Sequence, residues 1–272
     1  MAPTLNIIGA GKVGRVLGRL FAGSGTLAVQ DVLTRSPASA VDAVRFMGAG
    51  LAVSALAHMR PAQCWMLAVA DDQIAPVCDR LAALPHIAGS VVFHCSGAKA
   101  SAELAAAAGA GALTASVHPV RSFADPAHVA AHFAPTFCGI EGDAAALALL
   151  AGPLAAIGAR TVQIDAAAKT VYHAASVFAS NYLVTVLDAA LRAWQAAGVP
   201  PDVARALAAP LAAETLDNVL RLGPEQALTG PIARGDMATV ARQQQALDAW
   251  DGASGDLYRA LAGATVALAA RR

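Results

Sequence analysis

Four polar residues at helical spacing, Lys169, His173, Ser176 and Ser180, stand in an otherwise apolar segment. Residues four, seven and eleven positions apart fall on nearly one face of a helix, so they predict a polar stripe. Hydride addition to a carbonyl or imine requires a nearby proton donor. Lys169 is the predicted acid or base, provided that a cleft lowers its pKa, and His173 shares that role or orients a substrate. A solvent-exposed face is the alternative, although such faces are usually richer in Glu, Lys and Arg.

Other polar side chains suit contacts to a small anionic substrate. His118 and Arg121 follow a predicted strand at the sheet edge, and a purely structural role is an equal alternative for both. Arg234 lies in a turn rich in glycine and proline, and an arginine can bind a carboxylate through two hydrogen bonds. Asn181 is a weaker prediction, because it lies roughly 120° around the helix from Lys169. The predicted substrate-binding residues are His118, Arg121, Ser176, Asn181 and Arg234.

A glycine-rich motif, G-x-G-x-x-G, ends the first predicted strand and begins a helix. In a βαβ unit this motif binds the pyrophosphate of a dinucleotide. Gly9 permits the tight turn, Gly11 lets the backbone approach the phosphates, and Gly14 lets the helix pack on the strand. The phosphates would accept hydrogen bonds from the free N–H groups of that helix. The predicted contacts are Gly9, Ala10, Gly11, Lys12, Val13 and Gly14.

The end of the second predicted strand indicates which nicotinamide dinucleotide binds. NAD sites place an acidic residue there, about twenty residues after the glycine motif, to bind the ribose 2′-hydroxyl. This chain has Thr34, Arg35 and Ser36 instead, and Asp31 comes too early in the strand. A guanidinium with two hydroxyls suits a 2′-phosphate, so the sequence predicts NADP(H) in preference to NAD(H). A solvated loop position is the alternative for Arg35.

Two further predicted strand ends face the crevice in which ligands of open α/β sheets bind. Ala70 and Asp71 follow the fourth strand, where they are predicted to contact the cofactor. Capping of the next helix by Asp71 is an equal alternative. Ser96 follows the fifth strand and is predicted to direct a backbone N–H towards the nicotinamide or the substrate. His94 lies at the end of the same strand, and a packed strand histidine is an equal alternative to a residue that faces the crevice.

These residues require a sheet and a helical region to position them. Short β-rich runs alternate with alanine-rich helical runs up to Asp165, and only helical patterns follow. The sequence predicts an α/β fold, a Rossmann-type doubly wound, mostly parallel sheet in residues 1–165, followed by an all-α domain in residues 166–272. The predicted strands are Leu5–Gly9, Val29–Thr34, Leu51–Ser54, Cys64–Ala70, Val91–Cys95, Leu113–His118, Thr136–Ile140 and Thr161–Ile164. The predicted helices of the second domain are Ala166–Ala197, Pro201–Leu222 and Met237–Leu268.

Composition argues against several classes of protein. The 272 residues are 57% hydrophobic, mainly through alanine, and we expect no membrane-spanning segment because charges, glycines and prolines interrupt the apolar runs. The 19 basic and 19 acidic residues form no basic stripe, so a nucleic-acid partner is not expected. Four isolated cysteines predict buried thiols rather than disulfides or a metal site. The N-terminus has no signal-peptide pattern, so we expect a cytoplasmic location.

Taken together, these segments resemble a family that pairs a Rossmann-like NADP-binding domain with a DUF2520 helical domain. That family is allied to pyrroline-5-carboxylate reductase, ketopantoate reductase and the β-hydroxyacid dehydrogenases. The resemblance covers nearly the whole chain and implies a helical domain of the 6-phosphogluconate dehydrogenase C-terminal type. In ketopantoate reductase and the hydroxyacid dehydrogenases a helix carries Lys-x-x-x-Asn. Here Lys169 matches that pattern, whereas His173 replaces the asparagine, which leaves the substrate open.

The resemblance implies an oxidoreductase that transfers a hydride between NADP(H) and a small, anionic carbonyl, hydroxy or imine compound. A non-catalytic NADP-binding sensor or interaction protein is the alternative, and a deazaflavin partner is a third possibility. We also expect a homodimer, because long alanine-rich helices can bury area between subunits.

Overall fold

A computed structural model describes all residues of the chain, 1–272. The chain divides into two compact units, Met1–Ser180 and Asn181–Arg272. The first unit contains every strand and the second contains only helices. Each unit is described separately below.

The first unit is built on one eight-stranded sheet with the strand order β3-β2-β1-β4-β5-β6-β7-β8. All eight predicted strands are present, at β1 Thr4–Ile8, β2 Ala28–Leu33, β3 Leu51–Val53, β4 Cys64–Leu67, β5 Val91–His94, β6 Leu113–Pro119, β7 Thr136–Gly142 and β8 Ala159–Gln163. Strands β1 to β6 are parallel, whereas β7 runs antiparallel to β6 and parallel to β8. The predicted fold class, a mostly parallel Rossmann-type sheet followed by a helical region, is therefore confirmed.

Seven α-helices connect these strands or follow them. They are α1 Lys12–Ser24, α2 Pro37–Met47, α3 Ile74–Ala82, α4 Ala105–Gly109, α5 Pro126–Ala131, α6 Ala144–Ala156 and α7 Lys169–Ala179. Buried apolar residues form two clusters, one around Phe21 and Phe93 and the other around Trp65 and Leu67. Trp65 and Met66 are neighbours in β4 but belong to different clusters, as expected for successive side chains on opposite faces of a sheet. The central strands are thus covered on both faces.

Helix α7 belongs to the first compact unit, although we predicted it as the beginning of the second domain. The compact unit extends to Ser180, whereas the predicted boundary lies after residue 165. The physical reason is that the side chain of Lys169 is buried and hydrogen-bonded to strand residues of the sheet. The polar residues of α7 therefore share one compact unit with the glycine motif.

The second unit contains α8 Asn181–Ala196, α9 Pro201–Leu222, α10 Pro224–Ala227, α11 Met237–Trp250 and α12 Gly252–Ala269. Two long predicted helices are each interrupted once. The first is interrupted at Ser180, whose backbone leaves the helical region. The second is interrupted at Asp251, which is extended and accepts hydrogen bonds from Arg192 Nη1 and Ser254 Oγ. Helical periodicity continues across both breaks, so the sequence pattern did not reveal them.

The helical segment Ala166–Ala196 is long and apolar enough to cross a membrane by the measure of length and composition alone. Our sequence prediction contained no such segment. In the structure a break at Ser180 divides this segment, and Lys169 near its start is buried among polar groups.

Candidate functional site

The glycine motif forms a tight turn between β1 and α1. Gly9 has a φ of +84°, and a Cβ atom there would lie 2.6 Å from the carbonyl oxygen of Ala68. A Cβ at Gly14 would lie 2.5 Å from the carbonyl oxygen of Gly9, so α1 packs closely on the turn. Gly11 has no neighbouring atom within 4 Å on that side, and it begins α1 without a side-chain cap. The turn therefore leaves open space beside uncapped helix amides, which is the arrangement that a pyrophosphate requires.

The loop after β2 leaves one guanidinium without a partner. Ser36 caps α2 by accepting a hydrogen bond from Ser39 N, and Thr34 Oγ1 donates to the Ser36 carbonyl. Arg35 is exposed and has no ion pair. Asp31, by contrast, is buried and accepts hydrogen bonds from the side chain and backbone of Arg60, with the shortest at 2.7 Å. Asp31 is thus held inside the fold, and Arg35 is the charged group of this loop that remains available.

A cleft of about 380 Å³ lies in the first unit. It extends from the glycine motif across the ends of β4, β5 and β6 to one residue of α7. Its lining includes nine residues predicted from the sequence: Gly11, Lys12, Val13, Ala70, Asp71, Ser96, His118, Arg121 and His173. The cleft therefore joins predicted cofactor contacts to predicted substrate contacts at the carboxyl edge of the parallel strands.

The alternatives left open at two strand ends have different outcomes. Asp71 makes no capping hydrogen bond to the following helix, so its carboxylate remains in the lining of the cleft. His94 is fully buried, and its Nδ1 accepts a hydrogen bond from Ser96 N while its Nε2 lies 3.0 Å from the Ala100 carbonyl. Burial lowers the pKa of His94, with the Ala100 carbonyl opposing the shift. His94 is a packed strand histidine, and the Ser96 N–H, predicted to face the nicotinamide or the substrate, is bonded to it instead.

Lys169 is buried behind the cleft and is absent from its lining. Only 2% of its surface is exposed, and its Nζ donates hydrogen bonds to the Ser96 carbonyl, at 3.0 Å, and to Ser116 Oγ. The carboxylate of Glu141 lies 3.8 Å from Nζ. Burial lowers the pKa of Lys169, and the charges of Glu141 and Asp71 oppose the shift. The amine therefore connects α7 to the ends of β5, β6 and β7.

Glu141 is itself buried and has further partners. Its two carboxylate oxygens accept hydrogen bonds from the backbone N and the Oγ of Ser101, both at 2.7 Å. The pair with Lys169 consequently has no unsatisfied charged atom. A buried ion pair of this kind requires such additional hydrogen bonds to compensate for the loss of water.

Helix α7 turns its polar residues inward. Lys169, His173 and Ser176 all lie on its less exposed face, whereas Val171 and Phe178 on the opposite face are 75% and 70% exposed. The alternative of a solvent-exposed polar stripe is therefore wrong for this helix. Ser176 lies on the inward face but outside the lining of the cleft.

Two imidazoles and a phenol form a cluster at the end of the cleft near α7. His118 Nδ1 lies 3.0 Å from Tyr172 Oη, and the rings of His118 and His173 contact each other edge to face with centroids 5.6 Å apart. A Cβ at Gly97 would lie 2.3 Å from His173 and 2.7 Å from His118 Nε2. Burial, together with the charges of His173 and Lys169, lowers the pKa of His118 to about 4. His118 is therefore a neutral imidazole at neutral pH.

The remaining predicted substrate residues are placed differently. Arg121 lines the cleft, but its Nη1 donates hydrogen bonds to the Phe133 carbonyl and to Thr136 Oγ1, both at 3.1 Å. Asn181 and Arg234 belong to the second unit, and both are exposed there. Their roles in binding substrate stay predictions.

The sequence analysis missed Glu141, Tyr172 and the role of Gly139. Glu141 and Gly139 lie in β7, whose antiparallel direction pairs Ser116 with Glu141 and His118 with Gly139. Tyr172 adjoins His173 on α7, so the polar stripe could have included it. A Cβ at Gly139 would lie 2.3 Å from Tyr172 Oη, which shows that this strand position leaves room for the phenol.

The sheet and its glycine turn define a dinucleotide-binding type of domain, and residues 3–119 match the family model described as a Rossmann-like domain. Residues 136–265 match the model described as DUF2520, a domain of unknown function. The chain therefore combines a Rossmann-like domain with a DUF2520 domain, as the resemblance implied. No curated protein sequence matches the chain.

Solved structures share this fold over nearly the whole chain. A Bacteroides fragilis protein, named as a candidate NADP oxidoreductase, is 21% identical with a TM-score of 0.82, and the match covers 97% of this chain and 98% of that one. The Thermotoga maritima protein TM1727 is 26% identical with a TM-score of 0.73, covering 98% and 100%. An imine reductase from a Pseudomonas species is 20% identical with a TM-score of 0.67, covering 96% and 93%. Pyrroline carboxylate reductases are also among the matches, as the predicted alliance implied.

Proposed function

We propose that this chain is an NADP-dependent oxidoreductase that reduces a small carbonyl or imine compound, or oxidises the corresponding product. The observation that carries the proposal is the single cleft that joins the glycine turn to the cluster of His118 and His173. The nicotinamide, when bound, supplies or accepts the hydride. The chain holds the phosphates at one end of the cleft and polar hydrogen-bonding groups at the other.

The preference for NADP over NAD rests on the loop after β2. Arg35 is exposed and unpaired, whereas the hydroxyls of Thr34 and Ser36 already make hydrogen bonds within the loop and the cap of α2. Asp31 is paired with Arg60, so no free carboxylate of this strand competes for a ribose 2′-hydroxyl. A guanidinium binds phosphate oxygens through charge-assisted hydrogen bonds, which favours the 2′-phosphate. The name of the Bacteroides fragilis protein, NADP oxidoreductase, agrees with this preference.

Lys169 and His173 are the two proton donors or acceptors within the proposal. His173 lines the cleft, whereas Lys169 is buried behind it with its Nζ bonded to Ser96 and Ser116. This geometry favours His173 as the group that exchanges a proton with substrate. Lys169 holds the turn at Ser96 that forms one wall of the cleft.

The proposed substrate is a small compound with a carbonyl, hydroxyl or imine group, and an anionic group is favoured by Arg121 in the lining. The name of the Pseudomonas protein, imine reductase, supports an imine as one member of this class. We place the reaction in the cytoplasm, where the four free cysteines of the chain would remain reduced.

Cofactor choice can be tested by titrating the protein with NADPH and NADH while following the emission of the bound nicotinamide. We expect tighter binding of NADPH, and a loss of about tenfold in NADPH affinity for Arg35→Ala with no change for NADH. Arg45→Ala is the control, because Arg45 is an exposed arginine of α2 that already pairs with Asp42. Tighter binding of NADH than of NADPH would contradict the proposed role of Arg35. Equal losses of NADPH affinity in the Arg35 and Arg45 variants would contradict it as well.

Catalysis is tested with NADPH and a panel of 2-oxo acids, aldehydes and cyclic imines, by the loss of NADPH absorbance. We expect one member of the panel to be reduced, and His173→Asn to lower kcat about 100-fold with little change in NADPH affinity. Tight binding of NADPH without oxidation by any compound would instead support a non-catalytic sensor. Hydride transfer only when a deazaflavin is supplied would identify that cofactor as the partner.

We also propose a homodimer formed through the helical unit. This unit exposes many large apolar side chains, of which Leu220 is 79% exposed. Large exposed apolar side chains in such number are typical of a surface that another chain covers. We expect light scattering to give twice the chain mass, and Leu220→Asp to reduce it to that of a monomer. Leu51→Asp is the control, because Leu51 is an exposed leucine of the first unit; a monomeric wild type would contradict the proposal.

A further inference from the structure

The hydroxyl of Tyr172 has a defined partner in the cleft. His118 Nδ1, 3.0 Å away, is the one acceptor within hydrogen-bonding distance of Tyr172 Oη. Burial raises the pKa of Tyr172, so its phenol keeps its proton at neutral pH. The pair forms either by Oη–H donating to Nδ1 or by Nδ1–H donating to Oη. The first form gives the phenol proton an acceptor in the protein, and it places the single N–H of the neutral imidazole on Nε2.

The protein makes room for this arrangement at two glycines. A Cβ at Gly139 would lie 2.3 Å from Tyr172 Oη, and one at Gly97 would lie 2.7 Å from His118 Nε2. Gly139 is also the cross-strand partner of His118, so the phenol lies over the His118–Gly139 pair. The two side chains that form the hydrogen bond are consequently confined by backbone positions on β6, β7 and α7.

The second nitrogen of His118 is directed differently from that of the structural histidine on the neighbouring strand. Both ring nitrogens of His94 have backbone partners within the fold. His118 uses only Nδ1 within the protein, and the residue lines the cleft. In the form with its proton on Nε2, the ring therefore has a donor that no protein atom satisfies.

We propose that Tyr172 is a positioning residue that fixes the Nε2–H tautomer of His118, and that His118 is a catalytic residue that donates this hydrogen bond to the substrate atom next to the carbon that exchanges hydride. This inference rests on the proposed function and names the group that polarises the substrate. A neutral donor of this kind stabilises the negative charge that develops on the substrate atom.

The arrangement also selects between forms of substrate. An Nε2–H donor requires an acceptor, which a carbonyl oxygen or an unprotonated imine nitrogen provides. A protonated iminium has no lone pair to accept the bond. The inferred substrate class is therefore a carbonyl compound or a neutral imine.

The test uses the full-length chain labelled with ¹⁵N and two-bond ¹H–¹⁵N spectra of its histidine rings, which distinguish the tautomers. In the wild type we expect His118 to be neutral with its proton on Nε2 at pH 7. Tyr172→Phe is expected to mix the two tautomers. Gly139→Ala, which keeps the phenol but displaces its hydroxyl, should give the same signature. Tyr258→Phe is the control, because Tyr258 Oη donates to Gln243 within the second unit.

A wild-type His118 that carries its proton on Nδ1, or that is doubly protonated at pH 7, would overturn the inference and would leave NADPH binding untouched. A failure of NADPH to bind would overturn the proposed function and would leave the tautomer unchanged. With a compound of the panel that the wild type reduces, His118→Phe should lower kcat about 100-fold and Tyr172→Phe about tenfold, at constant NADPH affinity. Equal kcat values for wild type and both variants would contradict the assigned roles.

Discussion

The two ends of the cleft are built in different ways. The glycine turn is made from backbone conformation within six consecutive residues, Gly9 to Gly14, and depends on the absence of side chains. The end near α7 is made from side chains of β5, β6, β7 and α7 that come together from distant positions. The hydrogen bond from Lys169 to the Ser96 carbonyl alone spans 73 residues. The first end is thus a local property of the sequence, whereas the second exists only in the folded chain.

This difference predicts different responses to substitution. A change in the glycine turn acts through backbone strain and steric overlap, so no second substitution elsewhere should repair it. A substitution in the polar end leaves a buried charged partner without its counter-charge. Removal of that partner by a second substitution should therefore restore stability. The three predictions below test this contrast from the largest expected effect to the smallest.

Lys169→Met is expected to lower the free energy of unfolding by about 4 kcal/mol, because it leaves the carboxylate of Glu141 buried without its cation. The double variant Lys169→Met with Glu141→Gln should recover a large part of this loss. Urea denaturation measures both values. Lys99→Met is the matched control, since Lys99 pairs with Glu103 on the surface and its substitution should lower the free energy of unfolding far less. Equal losses in the free energy of unfolding for the Lys169 and Lys99 variants would contradict the structural role of the buried pair of Lys169 and Glu141.

Gly9→Ala is expected to lower the free energy of unfolding by about 3 kcal/mol, through its positive φ and the overlap of the added Cβ with Ala68. Binding of NADPH should weaken about 100-fold or more with it. Gly11→Ala should leave the thermal unfolding temperature nearly unchanged, because its Cβ would meet no protein atom, yet it should weaken NADPH binding about tenfold. If Gly11→Ala left NADPH affinity intact, phosphate would not approach that side of the turn.

Acid should destabilise the protein through His118. The unfolded chain binds a proton at this residue with a pKa near 6.5, whereas the folded chain does so only near pH 4. The unfolded state therefore holds more protons between these values, and stability falls as the pH is lowered from about 6.5 to about 4. After allowance for its partial exposure, we expect His118 to contribute about 2 kcal/mol to this loss. Urea denaturation at both pH values should show that His118→Asn loses correspondingly less stability than the wild type when the pH is lowered. An equal loss of stability in both proteins would contradict the low pKa of His118.

The sequence was sufficient for the sheet and for the glycine turn. Strand patterns are local, and all eight strands were found within a few residues of their observed bounds. The motif predicted separate roles for Gly9, Gly11 and Gly14, and the space around each glycine agrees with these roles. Asp31 was set aside as too early in the strand, but it lies past the middle of β2, and its pairing with Arg60 is what makes it unavailable.

The polar end could be predicted only in part. The spacing of Lys169 and His173 placed both on one face of α7, but helical periodicity gives no information about how deeply each is buried. The position of Glu141 depends on the direction of β7, and strand direction cannot be derived from residue pattern alone. Tyr172 acquires its role through His118 and Gly139, which lie 54 and 33 positions away in the chain. Such long-range combinations are set by topology.

The reversed direction of β7 has a consequence for how the sheet is assembled. In a strand, a shift by one residue turns every side chain to the opposite face. If β7 paired with β6 one residue out of place, Glu141 would leave the face on which Lys169 lies, and the ammonium would be buried without its counter-charge. A misaligned β7 is therefore destabilised by several kcal/mol. The buried pair of Lys169 and Glu141 thereby favours one register of β7 on β6. The same register places Gly139 opposite His118.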